Sequence, residues 1–410
     1  MQKKKSIAQV DPATFKGKHV FVRVDFNVPQ NEDLSIADDS RIRAALPTIN
    51  LLLGAGARVV LASHLGRPKG KTEKYSLAPV GLRLAELIKA PVNAVSDCIG
   101  PVVAEAVSKM KDSEVVLLEN VRFHPEEEKN DPEFAKKLAE NEEFYVNDAF
   151  GSAHRAHAST VGVAKYLRPA LAGLLMEKEL KALSEVLDNP TRPFATIIGG
   201  AKVSSKIGVL ENLLQKVDVL VIGGAMAFSF LKAQGKKVGK SLVEDDKLEF
   251  CAKLLGEAKA KGVKVILPVD VICAAEFKTG IATTVVDIDH IPDDQMGLDV
   301  GPKTLEIIKK TISDCKTILW NGPLGAFEIP EFSTATFAIV DLLVELTARG
   351  AKTVIGGGDS VAAIEEKGVD PNSYTHVSTG GGASLEFLEG LELPGVACLD
   401  PAEESVRSRS

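Results

Sequence analysis

The stretch "IIGGAKVSSKIG", residues 197–208, decides the fold. Its apolar start predicts a buried strand, Gly199 and Gly200 predict a turn, and the remainder predicts the first turns of an α-helix. A strand that passes through a glycine turn into a helix is the repeating unit of parallel α/β sheets. Lys202 and Lys206 are locally unfavourable there, because cations oppose the helix dipole and like charges four residues apart repel.

The same pattern recurs in both directions along the chain. Short apolar runs alternate with longer amphipathic stretches, which predicts parallel sheets covered on both faces by helices. The runs are "HVFVRVD" (19–25), "RVVLASH" (58–64), "EVVLLEN" (114–120), "EFYVND" (143–148), "FATIIGG" (194–200), "VDVLVIGG" (217–224), "VKVILPVD" (263–270), "KTILWNGP" (316–323) and "KTVIGGG" (352–358). The 410 residues favour two domains, since one core stops growing beyond about 250–300 residues.

The predicted fold class is therefore α/β, with two doubly wound, Rossmann-like parallel-sheet domains joined by a long helix. The first domain spans residues 1–172 and the second 194–392, with a connecting helix in 173–193 and a tail in 393–410. The connecting segment carries an apolar stripe at helical spacing and stops at "DNP". Of two further helices, 130–140 has a clear start at Pro132, whereas Pro47 predicts that the helix in 40–56 is kinked or begins late.

Composition excludes several classes of function. The net charge of −7 argues against a nucleic-acid or anionic-membrane partner, and 45% hydrophobic residues suffice for two cores. Five scattered cysteines without a CxxC pair suggest neither a disulfide framework nor a thiolate zinc site. No apolar segment follows the basic residues 1–5, so we expect a soluble, cytoplasmic protein.

The strand ends differ between the two halves. In the first half they carry polar and cationic side chains, namely Arg23, Asp25, Asn27, His64, Arg67, Arg122, His124, His154, Arg155 and His157. Converging arginines suit the recognition of carboxylate or phosphate, although each residue alone could be a solvated charge. His154 and His157 have the spacing of a metal pair, but Arg155 between them would repel a cation.

In the second half the strand ends are rich in glycine, as in "IIGGAK", "VIGGAMAF", "WNGPLGAF", "IGGGDS" and "VSTGGGASLEF". Glycine allows main-chain N–H groups at a helix start to approach an anion, although the same residues also serve plain turns and close packing. Asp359 could hold Mg²⁺ against phosphates or cap the following helix. With no hydrolase or zinc-protease motif, the residues favour phosphoryl transfer from a nucleotide to a small anion.

In order, the motifs "RVDFNVP", "SHLGRP", "LLENVRFH", "NDAFGSAHRAHAS", "GGAKVSSKI", "LPVD", "MGLDVGP", "WNGPLGAFE", "IGGGDS" and "HVSTGGGASLEFLEG" resemble the phosphoglycerate kinase family from about Lys18 to Val396. The resemblance implies reversible phosphoryl transfer between ATP and the carboxylate of 3-phosphoglycerate, giving ADP and 1,3-bisphosphoglycerate. It also implies a requirement for Mg²⁺, two domains facing a cleft, and in-line transfer after domain closure. We expect a monomer.

The resemblance assigns roles in the first domain. Asp25 and Asn27 would hold the hydroxyl and carboxylate end of the glycerate, and Arg41 would face the carboxylate that is phosphorylated. Its far phosphate would be bound by His64, Arg67, Arg122 and Arg155. Phe26, Leu65 and Gly66 belong to the same motifs and complete the predicted substrate site. Arg43 is interpreted as a solvated helix residue.

In the second domain the resemblance assigns Lys202 and Lys206 to the nucleotide phosphates, Gly297 to the adenine and Glu328 to the ribose. Asp359 would anchor the metal. The remaining predicted nucleotide-site residues are Gly200, Ala201, Asn321, Pro323, Gly357, Gly358 and Ser360. The predicted catalytic residues are Arg41, Lys202, Gly358 and Gly381.

Two alternatives stay open at this point: another two-domain small-molecule kinase, and a non-catalytic nucleotide- or metabolite-binding protein. The family's tail folds back onto the first domain. Here "CLDPAEESVRSRS" (398–410) is charged and low in apolar residues, which predicts that docking ends near Leu399.

Overall fold

The computed structural model describes residues 3–402 and divides into two compact units. The first unit runs to Lys181 and resumes at Glu392, and the second unit is Ala182–Leu391. Each unit contains a six-stranded parallel sheet with helices between its strands. The predicted class, two doubly wound α/β domains, is confirmed.

The first unit is built on a sheet whose strands lie in the order β3-β4-β2-β1-β5-β6. These strands are β1 His19–Arg23, β2 Arg58–Ala62, β3 Val92–Ala94, β4 Val115–Leu117, β5 Phe144–Asn147 and β6 Ala170–Ala172. Its helices are α1 Ser40–Gly54, α2 Ala78–Leu87, α3 Pro101–Ser108 and α4 Pro132–Leu138. The central strands β1, β2 and β4 are buried on both faces, as their unbroken Val, Leu and Phe runs require.

The predicted starts of helices α4 and α1 can be compared with the structure. Asp131 caps α4 by accepting a hydrogen bond from the Phe134 N–H, with Pro132 in the first turn, so the predicted start is confirmed. Helix α1 begins at Ser40 and contains Pro47, so of the two predicted alternatives the late start is wrong and the kink stays a prediction. Burial of Ile42, Ile49 and Leu52 in the first unit's core stabilises the helix on both sides of the proline.

Helix α5, Leu174–Asp188, runs from the first unit into the second. Asp148, at the end of β5, accepts hydrogen bonds from the main-chain N–H groups of Leu175 and Met176. Those N–H groups have no partner inside the helix, so the carboxylate acts as a cap supplied by another element. The helix ends at Asp188, where "DNP" was expected to end it.

The second unit contains two sheets. The parallel sheet has the order β15-β14-β13-β7-β8-β9, and the order of the second sheet, which is antiparallel, is β11-β10-β12. The strands are β7 Phe194–Ile198, β8 Val219–Ile222, β9 Lys264–Ile266, β10 Asp270–Ala274, β11 Thr284–Asp287, β12 Met296–Val300, β13 Thr317–Asn321, β14 Lys352–Gly356 and β15 His376–Val377. The helices are α6 Ile207–Leu214, α7 Ala227–Ala233, α8 Leu248–Lys261, α9 Pro302–Ile312, α10 Thr334–Ala348, α11 Gly358–Lys367 and α12 Gly382–Leu388.

The opening stretch differs in one respect from its prediction. Strand β7 ends at Ile198 and α6 begins only at Ile207, after a 3₁₀ turn at Val203–Ser205. Lys202 precedes that turn, and Lys206 is the residue before α6. The two lysines are therefore not paired within one α-helix, and the predicted repulsion at four-residue spacing does not apply.

The C-terminal segment packs on the first unit further than its composition suggests. After α13, Pro394–Ala397, the Lys5 N–H donates to the Asp400 carbonyl and the Ala402 N–H donates to the Lys3 carbonyl. Arg168 forms an ion pair with Asp400. Docking thus extends past Leu399 to Ala402, and residues 403–410 lie outside the described residues.

The structure bears on the state of the cysteines and on the presence of membrane-spanning helices. All five cysteines are free thiols, as the scattered spacing predicted. Within residues 3–402, no helix combines the length and the apolarity that crossing a membrane demands.

Candidate active site

The first unit presents polar side chains where β1, β2 and β4 end, and these strands are neighbours in its sheet. We call this region the basic edge; it comprises Asp25, Asn27, His64, Gly66, Arg67 and Arg122, together with Arg41 from α1 and Arg155 after β5. The carboxyl ends of parallel strands share one edge, so residues far apart in sequence converge there. The predicted convergence of these strand ends is therefore present in the fold.

Arg41 and Asp25 form the ion pair of the basic edge. The Nη1 atom of Arg41 lies 2.9 Å from Asp25 Oδ2, and Asp25 Oδ1 accepts a hydrogen bond from the Asn27 N–H at 3.2 Å. Burial opposes ionisation of Asp25, but the positive charges of Arg41 and Arg23 and the hydrogen bond from the Asn27 N–H lower its pKa. Asp25 is thus ionised at neutral pH and holds the guanidinium of Arg41 in place.

Gly66 is held from two sides. Its N–H donates to Asn27 Oδ1 at 2.8 Å, and its carbonyl accepts from Arg122 Nη1 at 2.9 Å. Its φ of +63° is left-handed, and a Cβ atom would lie 2.3 Å from the ring of Tyr75. Only glycine therefore fits this position, which joins the loop after β2 to Arg122.

Four more of the predicted substrate residues separate into two groups. Arg67 and Arg155 are exposed, and within residues 3–402 neither is within ion-pair distance of a carboxylate. Their guanidinium groups are therefore available to an anion. Phe26 and Leu65 are buried in the first unit's core, so their side chains are not available to a ligand.

Arg23 was grouped with the strand-end cations, but it is completely buried. Its Nη2 atom lies 3.1 Å from His64 Nδ1, and its Nε atom donates to Ser159 Oγ at 2.8 Å. It therefore cannot touch a substrate and instead contacts a residue of the basic edge from beneath. The sequence did not predict this burial, because the residue types at the end of a strand do not show which cationic side chain points into the core.

The metal alternative at His154 and His157 finds no support. Burial and the charges of Arg122 and Arg23 lower the pKa of His157 to about 4, and the same positive charges would repel a bound cation. Arg155 Nε donates to His154 Nε2 at 3.3 Å, which occupies that ring nitrogen.

Another group of possible metal ligands, Asp97, Cys98 and His124, lies within 4.8 Å in the part of the chain that is described. There Asp97 Oδ1 already pairs with His124 Nε2 at 2.7 Å, and burial raises the pKa of the Cys98 thiol well above its usual range. The thiolate that a metal requires is therefore disfavoured.

The second unit contains a cavity of about 390 Å³ beside the ends of its strands. Its lining is largely apolar and includes the aromatic rings of Phe228 and Phe277. Predicted nucleotide-site residues also line it, namely Gly200, Ala201, Gly297, Pro323, Glu328 and Asp359. We call this region the glycine edge. An apolar cavity with a few polar groups at its rim is typical of a site for a planar organic ligand.

Glycines at this edge permit close packing of main chains. A Cβ atom at Gly199 would lie 1.9 Å from the Pro323 carbonyl oxygen, and one at Gly224 would lie 2.5 Å from the Gly200 nitrogen. At Gly297 it would lie 2.2 Å from the Phe228 ring. Packing thus explains part of the glycine content that the sequence suggested for phosphate binding.

Lys206 and Asn321 form a polar pair at the same edge. Lys206 Nζ donates a hydrogen bond to Asn321 Oδ1, and burial lowers the pKa of Lys206 against the raising effect of Asp359 and Glu389. The Nδ2 atom of Asn321 is buried and has no hydrogen-bond partner among residues 3–402. A buried donor without a partner is costly, so it marks a position for a ligand acceptor. Lys202 is exposed.

Three of the predicted nucleotide-site residues lie at the start of helix α11. Gly357 precedes the helix with φ +90°, Gly358 is its first residue, and Asp359 lies in its first turn. Ser360 is fully buried, and its Oγ accepts from the Gly322 N–H at 2.7 Å. Its hydroxyl is therefore committed to the fold, and only its main chain is left for a nucleotide. Gly381 precedes the short helix α12.

Asp299 also lines the cavity, and sequence reasoning assigned it no role. It is buried and accepts hydrogen bonds from the N–H groups of Val300 and Ala335 at 2.9 and 3.0 Å. Burial raises its pKa to about 7. The "MGLDVGP" motif contained it, but nothing in the local pattern distinguished a buried carboxyl from an exposed one.

In one doubly wound unit the strand ends carry cationic side chains, and in the other they border a cavity lined by glycines. This combination defines a class of protein, the kinases that act on small anionic molecules. Residues 10–391 match the family model described as phosphoglycerate kinase, and the chain belongs to that family.

Named relatives agree with this membership. The chain is 57% identical over 399 residues to the chloroplastic phosphoglycerate kinase of Volvox carteri, covering 97% of this chain and 86% of the relative. It is 56% identical over 402 residues to the cytosolic phosphoglycerate kinase of Nicotiana tabacum, covering 98% and 100%. The solved structure of phosphoglycerate kinase from Coxiella burnetii is 41% identical, with a TM-score of 0.87 over 96% of this chain and 98% of that one.

Proposed function

We propose that the chain reversibly transfers a phosphoryl group between ATP and the carboxylate of 3-phosphoglycerate, giving ADP and 1,3-bisphosphoglycerate. The observation that carries the proposal is family membership over residues 10–391, in a chain that contains Arg41, Lys202 and Asp359. A non-catalytic nucleotide-binding protein would have no need of all three. Neither alternative from the sequence is favoured by a particular contact.

On the basic edge, Arg67, Arg122 and Arg155 bind the phosphate of 3-phosphoglycerate together with His64. Asp25 and Asn27 bind its hydroxyl and carboxylate end. Support comes from the two exposed guanidinium groups and from Gly66, whose loop is held by Asn27 and Arg122. Arg41, fixed by Asp25 at 2.9 Å, lies beside the reacting carboxylate and stabilises the negative charge of the phosphoryl group in transfer.

On the glycine edge, the apolar cavity takes the adenine, with Gly297 in its wall and Glu328 at the ribose. Lys206 and the unpaired Nδ2 of Asn321 hold the phosphates that stay on the nucleotide. Lys202, exposed beside Gly200, follows the group that moves, and the main-chain N–H groups at Gly358 and Gly381 stabilise its equatorial oxygens. An in-line, largely dissociative transfer needs positive charge and hydrogen-bond donors at these phosphoryl oxygens.

The residues present fit Mg²⁺. Asp359 is exposed, lines the cavity and makes no ion pair with a cation among residues 3–402. One carboxylate plus phosphate oxygens is the ligand set that this ion takes in nucleotide sites. Bound there, the ion would neutralise phosphate charge during transfer. No general base is required, because the acceptor carboxylate is ionised at neutral pH.

Direct transfer demands that the two substrates meet, and we include a domain-closing step that excludes water from the acyl phosphate. We also propose that the enzyme is a monomer, which light scattering after gel filtration tests. A cytoplasmic location is proposed as well; relatives carry both cytosolic and chloroplastic names, so imaging of the tagged protein decides it.

The activity is tested by one coupled assay of ATP consumption with magnesium. We expect turnover with 3-phosphoglycerate and none with acetate, glycerate or a sugar. Activity on one of the other acceptors alone would refute the proposed substrate. A chelator control, restored by added Mg²⁺, tests the metal separately.

A further inference from the structure

A chain of buried polar side chains lies beneath the basic edge of the first unit. Arg23 is completely buried and uses all three of its nitrogens. Nε donates to Ser159 Oγ at 2.8 Å, Nη1 donates to the Val24 carbonyl, and Nη2 lies 3.1 Å from His64 Nδ1. The guanidinium thus has a fixed orientation and points one donor at the histidine.

The far end of this chain is a carboxylate. Ser159 Oγ donates to Glu127 Oε1 at 2.5 Å, and the Ser159 N–H donates to Oε2 at 2.9 Å. Both residues are fully buried. Ser159 therefore accepts from Arg23 while donating to Glu127, which connects an acid to a base through one hydroxyl. We call Glu127, Ser159, Arg23 and His64 the buried relay.

The chemistry of arginine fixes the proton of His64. A guanidinium only donates hydrogen bonds and is always protonated, so the ring nitrogen facing it must be an unprotonated acceptor. In a neutral imidazole the proton then lies on the other nitrogen, Nε2. His64 is almost fully buried, and Nε2 has no hydrogen-bond partner in the part of the chain that the structure describes.

The surrounding charges favour the same state. Burial, together with the positive charge of Arg23, Arg122 and Arg41, lowers the pKa of His64 well below its ordinary value of 6.5, against the opposing charge of Asp25. These are the charged groups that act on the ring from the surrounding elements. A second cation beside three arginines is thus disfavoured.

We propose that Glu127, Ser159 and Arg23 are positioning residues that keep His64 neutral with its proton on Nε2, as a hydrogen-bond donor to bound 3-phosphoglycerate. The histidine then orients the bound ligand through a hydrogen bond, and the arginines of the basic edge attract its negative charge. Glu127 is needed because a buried guanidinium without a compensating carboxylate is strongly destabilising. The inference rests on the proposed function for the identity of the ligand.

The first test needs no variant. Nitrogen-15 spectra of the wild-type enzyme, labelled at histidine and assigned by the signal lost in His64→Gln, report which ring nitrogen carries the proton. We expect one tautomer, protonated at Nε2, throughout the range in which an ordinary histidine titrates. A proton on Nδ1, or a ring that becomes doubly protonated near its ordinary pKa, would overturn the inference.

The second test uses two variants of the relay. Ser159→Ala removes the link, and the double variant Arg23→Gln with Glu127→Gln removes both buried charges together. We expect the KM for 3-phosphoglycerate to rise about tenfold in each, with kcat changed less than about twofold, because one binding hydrogen bond is misdirected. In the double variant the pKa of the His64 ring should also rise, because the positive charge of Arg23 no longer lowers it, although burial still does.

Glu126→Gln is the matched control, since Glu126 is the exposed neighbour of Glu127. It should leave KM and the histidine spectrum unchanged, and far-ultraviolet circular dichroism checks that every variant is folded. Folded relay variants with wild-type tautomer and wild-type KM would contradict the relay. A wild-type Nε2 tautomer whose signal does not move on addition of 3-phosphoglycerate would instead contradict the proposed substrate position, so the two failures are distinguishable.

Discussion

The basic edge and the glycine edge use different physical means to prepare for an anion. On the basic edge the side chains are already fixed by one another: Asp25 holds Arg41, and Asn27 and Arg122 hold Gly66. On the glycine edge the polar groups are few. Among residues 3–402 each edge has a buried donor without a hydrogen-bond partner, Asn321 Nδ2 on the glycine edge and Arg122 Nε on the basic edge.

The difference matches the two ligands proposed. A small, highly charged glycerate offers little apolar surface, so its site depends on charge and direction, which preorganised arginines supply. A nucleotide also brings a planar base, so its site adds an apolar cavity of about 390 Å³. Substitutions on the basic edge should therefore weaken 3-phosphoglycerate binding, and substitutions on the glycine edge should impair ATP binding or phosphoryl transfer.

The largest effect is expected at Lys202. Lys202→Ala should lower kcat about a hundredfold to a thousandfold, the usual loss for a group that stabilises only transition-state charge. Affinity for 3-phosphoglycerate, measured by calorimetry on the full chain, should stay unchanged because that ligand binds the other edge. Lys309→Ala, which removes an exposed lysine of α9, is the control. Turnover within twofold of wild type in the Lys202 variant would remove that residue from the mechanism.

Arg67→Ala tests the other edge. Losing a guanidinium that binds phosphate should raise the KM for 3-phosphoglycerate about tenfold to a hundredfold, with a smaller change in kcat and none in ATP affinity. Arg43→Ala is the matched control, since Arg43 is exposed and pairs with Asp39 through its Nε atom at 2.8 Å. If both variants behave alike, or if ATP binding weakens instead, the basic edge is not the glycerate site.

A pair of glycine substitutions separates packing from flexibility at the cavity. Gly297→Ala would bring Cβ to 2.2 Å from the Phe228 ring, and overpacking of this kind costs about 1–3 kcal/mol. We expect ATP to bind about tenfold more weakly as the ring moves into the cavity. Gly256→Ala, in α8 with no atom within 4 Å, should instead stabilise the protein by about 0.5–1 kcal/mol. Equal ATP affinities in the two variants would show that the wall at Gly297 does not contact the base.

The smallest effects concern two of the buried carboxyls, Glu142 in the first unit and Asp299 in the second. Burial raises the pKa of Glu142 from 4.5 to about 8 and that of Asp299 from 3.8 to about 7. Between these values the native state keeps a proton that the unfolded chain has lost. Stability therefore falls as pH rises through each window, by at most about 1.4 kcal/mol per pH unit and group.

Glu142→Gln removes the group in the first unit, and the slope above pH 7 should flatten in that variant, while Asp299→Asn should flatten the slope only below about pH 7. Urea unfolding at both ends of each window measures the slopes. Stability that rises with pH through these windows in the wild type, or slopes that neither substitution changes, would contradict the buried carboxyls as their source.

Much of the fold was predictable because continuous apolar strands have a strong pattern. Runs such as 194–200 and 316–323 placed β7 and β13 correctly. The strands that were missed are short or differently paired: β3, β6 and β15 have three, three and two residues, and β10, β11 and β12 form an antiparallel sheet that alternating strands and helices do not predict. Tertiary pairing, rather than local sequence, determines such strands.

The candidate site was predictable as a set of positions, but not as a set of contacts. Ser360 and Phe26 belong to the motifs, yet the structure commits the hydroxyl of one and the ring of the other to the interior. Conversely, the buried positions of Arg23 and Asp299 depend on what packs over them. Burial of a charged side chain is a property of the whole fold, so neither spacing nor residue type could reveal it.

The central claim is that each edge binds one substrate, and hydrogen exchange with each substrate alone tests it most directly. ATP with Mg²⁺ should protect the main-chain amides of residues 197–208 and 356–360 and leave those of 64–67 unchanged. 3-Phosphoglycerate should protect residues 64–67 and 120–124 and leave 197–208 unchanged. The account is contradicted if ATP protects the basic edge instead, or if residues 197–208 exchange at the same rate with and without nucleotide.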